Sequence, residues 1–192
     1  MVFRATSQYD AERRRTVHHE ADVVVVGAGI FGCAMAYALA NQGRSVILLE
    51  RWMNEPDRIV GELLQPGGLN ALRKLGLGNC VEGIDAIPCH GYHVMYHNHD
   101  VIIPYPVVDA NGIVQVENSQ SNGYTNGDVK GDNKPKKSHR QEGVSFHHGR
   151  FIMQLRNACA AHPNITILCG MPRAFITRAR SFSLCRIQFS QI

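Results

Sequence analysis

The sequence has one tryptophan, and aromatic residues make up only 7% of it. Its Lys134-Pro135-Lys136-Lys137 stretch has no interleaved aromatics, so the platform that stacks single-stranded nucleic acid is missing. A formal charge of +4 is too weak to imply nucleic acid, and none is expected as a partner. None of the six cysteines forms a C-x-x-C pair, which excludes the common zinc-ribbon and thioredoxin-type patterns. In a chain of this size they read as reduced thiols facing a cytosol-like compartment. Arg4 and Glu12–Arg15 have no apolar run behind them, so no secretory signal is expected. The longest uncharged stretch, Val23–Gly43, has the 21 residues a membrane span would need. Gly27, Gly29 and Gly32 interrupt it, and Asn41-Gln42-Gly43 closes it, so strand, turn and helix fit better. There is no internal repeat.

What is present suits a packed α/β protein. The 192 residues are 44% hydrophobic and 19% charged, enough for one domain, or one domain and part of a second. Residues 1–20 form a polar, arginine-rich lead-in. The spacing of Leu69, Leu72 and Leu75 behind Pro66 predicts a turn and helix within Gly61–Gly78. Tyr92–Tyr96 and Val101–Ile103, separated by His97-Asn98-His99-Asp100, predict a hairpin. Asn118–Gln141 holds four Asn, three Gly, three Ser and four Lys, too polar to offset its ordering entropy, and is expected to be a disordered surface insertion. Ile152, Leu155, Ala158 and Cys159 mark a helix over Gly149–Ala161 that Pro163 stops, with a strand at Ile165–Cys169.

The chemistry sits in Asp22–Glu50. Val23–Val26 reads as a buried parallel strand, and Gly27-Ala28-Gly29-Ile30-Phe31-Gly32 gives G-x-G-x-x-G directly after it. Ala34–Ala40 continues as a helix, and Ser45–Leu49 is the next strand, ending at Glu50. Gly27 permits a tight turn, Gly29 lets backbone approach a pyrophosphate, and Gly32 lets helix pack on strand. The helix N-terminus offers N–H groups and a positive dipole end to phosphate, and Glu50 can accept hydrogen bonds from ribose hydroxyls. The fingerprint fixes a dinucleotide without separating FAD from NAD. No nucleophile, triad or metal centre is expected. His93, His97 and His99 share parity, with His90 nearby, yet they straddle a predicted turn, so they read as hairpin histidines.

The run from Leu49 to Gly68, with Glu55-Pro56-Asp57-Arg58-Ile59-Val60-Gly61-Glu62-Leu63-Leu64-Gln65-Pro66-Gly67-Gly68 at its heart, joins the Val24–Gly32 loop and Ser145–Phe151 in resembling the squalene monooxygenase family, particularly its fungal members. The resemblance covers Ala21 to about Cys169. It implies a flavoprotein-monooxygenase Rossmann fold of the glutathione-reductase type, here incomplete, with an FAD-binding domain over 21–170. It implies FAD as cofactor, with NADPH acting indirectly through a cytochrome reductase. It also implies squalene as substrate, epoxidised in sterol biosynthesis, and a location at the endoplasmic-reticulum membrane surface. By position it implies cofactor contacts at Gly27, Gly29, Ile30, Phe31, Gly32, Glu50, Arg51, Arg58 and Arg156, and a substrate-pocket role for Tyr92. For Tyr92 the residues alone favour a half-buried strand tyrosine.

The family's later Asp-Gly and Gly-Asp flavin motifs, most of its substrate domain and its C-terminal membrane-associated helices have no counterpart. After Cys169 the resemblance stops, and residues 171–192 form a divergent tail with four arginines, no acid and no clear strand alternation. The expectation is a truncated, inactive form. Two other readings are another FAD- or NAD-dependent oxidoreductase sharing the loop, and a non-catalytic fragment that binds partners or lipid.

Overall fold

The computed structural model describes residues 8–58, 61–109, 114–115, 139–176 and 186–190. In chain order the elements are α1 (Gln8–Val17), β1 (Val23–Val26), α2 (Ile30–Asn41), β2 (Val46–Glu50), β3 (Leu63–Leu64), α3 (Pro66–Leu75), β4 (Ile87–Cys89), β5 (Gly91–Tyr96) and β6 (His99–Pro104). They continue with β7 (Val107–Val108), β8 (Val114–Gln115), β9 (His139–Arg140), β10 (Gly143–Ser145), α4 (His148–Ala160), β11 (Ile165–Cys169), β12 (Met171–Ile176) and β13 (Arg186–Ser190).

A parallel sheet in the order β1-β2-β11 organises the site. Val23 pairs with Val46 and Ile165 pairs with Val46 from the other side, so β2 is central. Its Val46-Ile47-Leu48-Leu49 run is sealed at 0–1% exposure, as a strand covered on both faces requires. Each such side chain contributes about 1.5–3 kcal/mol of burial. The expectation that Val23–Val26 is buried needs correction. Among the described residues β1 is an edge strand, half-buried along its length, and Val26 is exposed. Four valines form a strand whether covered or not, because β-branching sets the conformation while neighbours set the burial.

Helices pack on this sheet through small residues. Cys33, Ala36 and Ala40 form the buried face of α2, and α4 lies against it with Phe151, Leu155 and Cys159 inward. Helix α3 adds Leu69 and Leu72, and Leu77 and Ile84 close the core. Pro66 occupies the first turn of α3, where its missing N–H costs nothing. Gly76 ends that helix at φ 81°, a left-handed cap suited to glycine.

The lead-in is not merely polar. Residues 8–17 form α1, held by Arg15, which is 1% exposed. Arg15 donates to Thr166 Oγ1 at 2.9 Å, Ser45 Oγ at 3.2 Å and the Pro163 carbonyl at 2.6 Å. It staples the helix beneath β2 and β11. The arginine-rich composition hid this, because arginines are mostly exposed unless their donors are satisfied.

The hairpin stands where expected, with β5 and β6 antiparallel from Gly91–Pro104 to Tyr96–His99. It stops short of a packed sheet, since Val94, Met95, Tyr96, Val101, Ile102 and Ile103 are all exposed. The expected disordered insertion also needs trimming. Residues 118–138 lie outside the described residues, but β9 at His139–Arg140 pairs with Val107–Val108. Arg140 donates to the Tyr105 carbonyl at 2.6 Å, anchoring that end. The tail departs from expectation too, for Met171–Ile176 pairs antiparallel with Arg186–Ser190.

Candidate functional site: the loop between the first strand and its helix

The site begins where β1 turns into α2. Gly27 takes φ 96°, a left-handed conformation natural to glycine. At Gly32 an added Cβ would overlap the Gly27 carbonyl, so only glycine lets α2 approach the loop. At Gly29 an added Cβ would meet nothing within 4 Å and would project into open space. Gly29 is also the N-cap of α2, with no side-chain cap over the first-turn N–H groups. The helix therefore begins with a bare positive end facing space, the arrangement that receives phosphate.

Glu50, at the end of β2, faces this loop. Its Oε2 accepts from the Ala28 N–H at 2.8 Å, and its Oε1 accepts from the Trp52 N–H at 3.0 Å. Arg156 Nη2 lies 3.4 Å from Oε2. Burial works against the charge, but the Trp52 and Ala28 N–H groups and Arg156 outweigh it and hold the carboxyl below its ordinary range. A carboxylate has roughly four acceptor directions, so capacity for a further donor remains.

Arg156 is 5% exposed and fully engaged. It donates to the carbonyls of Ala28 at 2.9 Å, Trp52 at 3.1 Å and Asn54 at 3.2 Å. It ties α4 to the phosphate loop and to the segment after β2. A cavity of about 410 Å³ opens here, lined by Gly29, Glu50, Arg58 and Arg156 with the intervening Trp52 and Asn54–Asp57. His148 and Ile152 complete its wall. His148, Ile152 and Arg156 are spaced by four on α4, a period that was available in the sequence as a signal for His148 and Ile152.

The other expected contacts are arranged differently. Arg51 stacks on the Trp52 ring at 3.6 Å and is exposed beside the cavity. Ile30 is half-buried and Phe31 is exposed, both in the first turn of α2. Tyr92 stands apart on β5, 38% exposed, its ring edge-on to Tyr105 at 5.5 Å. The histidines do not converge. His93 pairs with Asp100 at 2.9 Å, while His99 lies opposite Tyr96 on the other face, because the turn at His97 breaks the parity. No group of three possible metal ligands occurs among the described residues.

The residues fit a dinucleotide. The bare helix end and the open space over Gly29 suit a pyrophosphate, and the remaining acceptor capacity of Glu50 suits ribose hydroxyls. The comparisons agree. Residues 22–54 match the sequence profile of a family described as FAD dependent oxidoreductase. The fold is that of pqsL, a probable FAD-dependent monooxygenase from Pseudomonas aeruginosa, with a TM-score of 0.60 over 88% of this chain and 38% of that one at 18% identity. It also matches p-nitrophenol 4-monooxygenase PnpA from Pseudomonas putida DLL-E4, with a TM-score of 0.51 over 81% of this chain and 33% of that one at 16% identity. The chain has a partial, Rossmann-like FAD-binding fold.

In sequence it is similar to squalene epoxidase ERG1 of Gibberella zeae, 60% identical over 156 residues, covering 81% of this chain and 29% of that protein. It is 41% identical to squalene monooxygenase of Mus musculus over 152 residues, covering 78% of this chain and 22% of that one. Over roughly four fifths of its length, therefore, the chain is similar to squalene epoxidases. It spans less than a third of the length of these relatives. Among the described residues no helix is long and apolar enough to cross a membrane.

Proposed function

We propose that this chain is the FAD-binding part of a squalene monooxygenase, forming 2,3-oxidosqualene from squalene in sterol biosynthesis. The observation that carries the reading is the 60% identity to a squalene epoxidase over 156 residues, 81% of this chain. Bound FAD supplies the redox chemistry by which one oxygen atom of O₂ is delivered to an alkene. The chain's residues bind and orient. The α2 N-terminus and Gly29 receive the pyrophosphate, and Glu50 receives the ribose. Arg156 keeps Glu50 ionised and aimed. Arg51 adds positive charge near the adenosine end and Arg58 contacts FAD, with Ile30 and Phe31 beside the cofactor. Tyr92 borders the apolar substrate pocket. Residues 21–170 form this FAD-binding part, and residues 171–192 are a separate tail. NADPH serves through a cytochrome reductase, and the enzyme works at the endoplasmic-reticulum membrane surface.

The test is a chimera. Residues 21–170 replace the corresponding stretch of the Gibberella zeae squalene epoxidase, and the product is supplied with FAD, reductase, NADPH and squalene. Epoxide formation is the expected result. A chimera that retains FAD yet yields no epoxide would reject the substrate assignment, and one that folds without FAD would reject the cofactor assignment.

A further inference from the structure

Two buried cysteines share the contact between α2 and α4 behind the phosphate loop. Cys33 lies in the first turn of α2, its N–H bonded to the Gly29 carbonyl at 2.9 Å. Cys159 lies in the last turn of α4, one turn beyond Arg156. Both are 0% exposed, and the Cys159 Sγ is 3.4 Å from the Cys33 carbonyl oxygen. The α2 side of the contact is built from small residues, Gly32, Cys33, Ala36 and Ala40, which lets the α4 side chains reach the α2 backbone. Both cysteines are free thiols, and nothing in the flavin-binding reading uses either.

We propose that Cys33 and Cys159 form a redox modification site, a disulfide that closes across α2 and α4 when the chain meets hydrogen peroxide. The chemistry balances with that one oxidant. The Cys33 sulfur attacks a peroxide oxygen, the O–O bond breaks, and water leaves a sulfenic acid on Cys33. The Cys159 sulfur then attacks Cys33, the S–O bond breaks, and a second water leaves. Two thiols lose two electrons and two protons, and the peroxide is reduced to two waters.

The surroundings favour Cys33 as the attacking sulfur. The Cys159 S–H donates to the Cys33 carbonyl, which holds Cys159 as the protonated partner, and burial raises it further. Arg156 draws Cys33 toward the thiolate against the cost of burial. Cys80, nearby, is raised mainly by burial, which suits a bystander. The oxidant reaches the pair through local opening between the helices, so the reaction is slow relative to an exposed thiol. The closed bond fixes the phosphate-facing end of α2 to the helix that carries Arg156.

The purified native chain is treated with hydrogen peroxide, unfolded, alkylated, and peptide-mapped by mass spectrometry. A dithiothreitol-reversible Cys33–Cys159 linked peptide is expected, with a rise in Tm of at least about 4 °C. The link should vanish in Cys33→Ala and in Cys159→Ala and persist in Cys80→Ala. Chain unfolded before oxidation should not favour this pair over others. Alkylated Cys33 and Cys159 beside an oxidised Cys169 would overturn the proposal, as would a link from Cys33 to Cys80. The unmutated chain decides the matter, so a variant that fails to fold does not obscure it. FAD is not needed, so the outcome is independent of the squalene monooxygenase reading.

Discussion

Arg156 Nη2 lies 3.4 Å from Glu50 Oε2, and the Arg156 Nε donates at 2.9 Å to the carbonyl of Ala28, whose own N–H is held by Glu50. Strand end, phosphate loop and α4 are thereby closed into one ring. Removing the guanidinium leaves three carbonyls and a largely buried carboxylate short of partners. Arg156→Met should therefore cost about 3–5 kcal/mol of stability. Denaturant unfolding of the FAD-free chain measures it, and a loss under about 1 kcal/mol would show that water replaces the guanidinium.

Glu50 gives the ring a pH dependence. Its folded pKa lies below its ordinary value of 4.5, so its stabilisation is fully present above that value and is lost as pH falls through the lower, folded one. Wild-type Tm should fall through this acidic window more steeply than that of Glu50→Gln. Parallel Tm curves for the two proteins would assign the acid sensitivity to other carboxylates.

Gly29 and Gly32 should separate binding from folding. A Cβ at Gly32 overlaps the Gly27 carbonyl, whereas one at Gly29 enters open space. Gly32→Ala should destabilise the chain by more than about 2 kcal/mol. Gly29→Val should cost about 1 kcal/mol or less, the loss of a glycine N-cap. In the full-length chimera the same Gly29→Val should weaken FAD binding at least tenfold, or about 1.4 kcal/mol. Unfolding curves and flavin titration read the two effects, and unchanged flavin affinity in Gly29→Val would contradict the phosphate-loop assignment.

Arg15→Met should detach α1. The guanidinium satisfies Thr166, Ser45 and Pro163 from a buried position, so its loss should cost about 2–4 kcal/mol. Limited trypsin digestion at Arg13 and Arg14 should accelerate in the variant. Cleavage at the wild-type rate would mean that α1 stays docked without it.

Tyr92→Phe removes one hydroxyl and keeps the ring against Tyr105. In the full-length chimera it should alter epoxidation while leaving FAD content unchanged. Identical turnover in both proteins would make Tyr92 a packing residue of the hairpin.

The sequence by itself determined the local pieces near the loop. Glycines at 27, 29 and 32 behind four valines dictate strand, tight turn and helix, because each depends on contacts within a few residues. Pro66 with the leucine period placed α3, and the Glu55–Gly68 run pointed to the family. Tertiary structure alone decided three other things. It made β1 an edge strand, since valines carry no record of whether a neighbouring strand arrives. It buried Arg15, whose partners at Ser45, Pro163 and Thr166 are remote in sequence and assemble only when β2 and β11 lie side by side. And it gave Arg156 its place as a clamp on Ala28, Trp52, Asn54 and Glu50, because an arginine's partners are fixed by which backbone carbonyls the fold turns toward it.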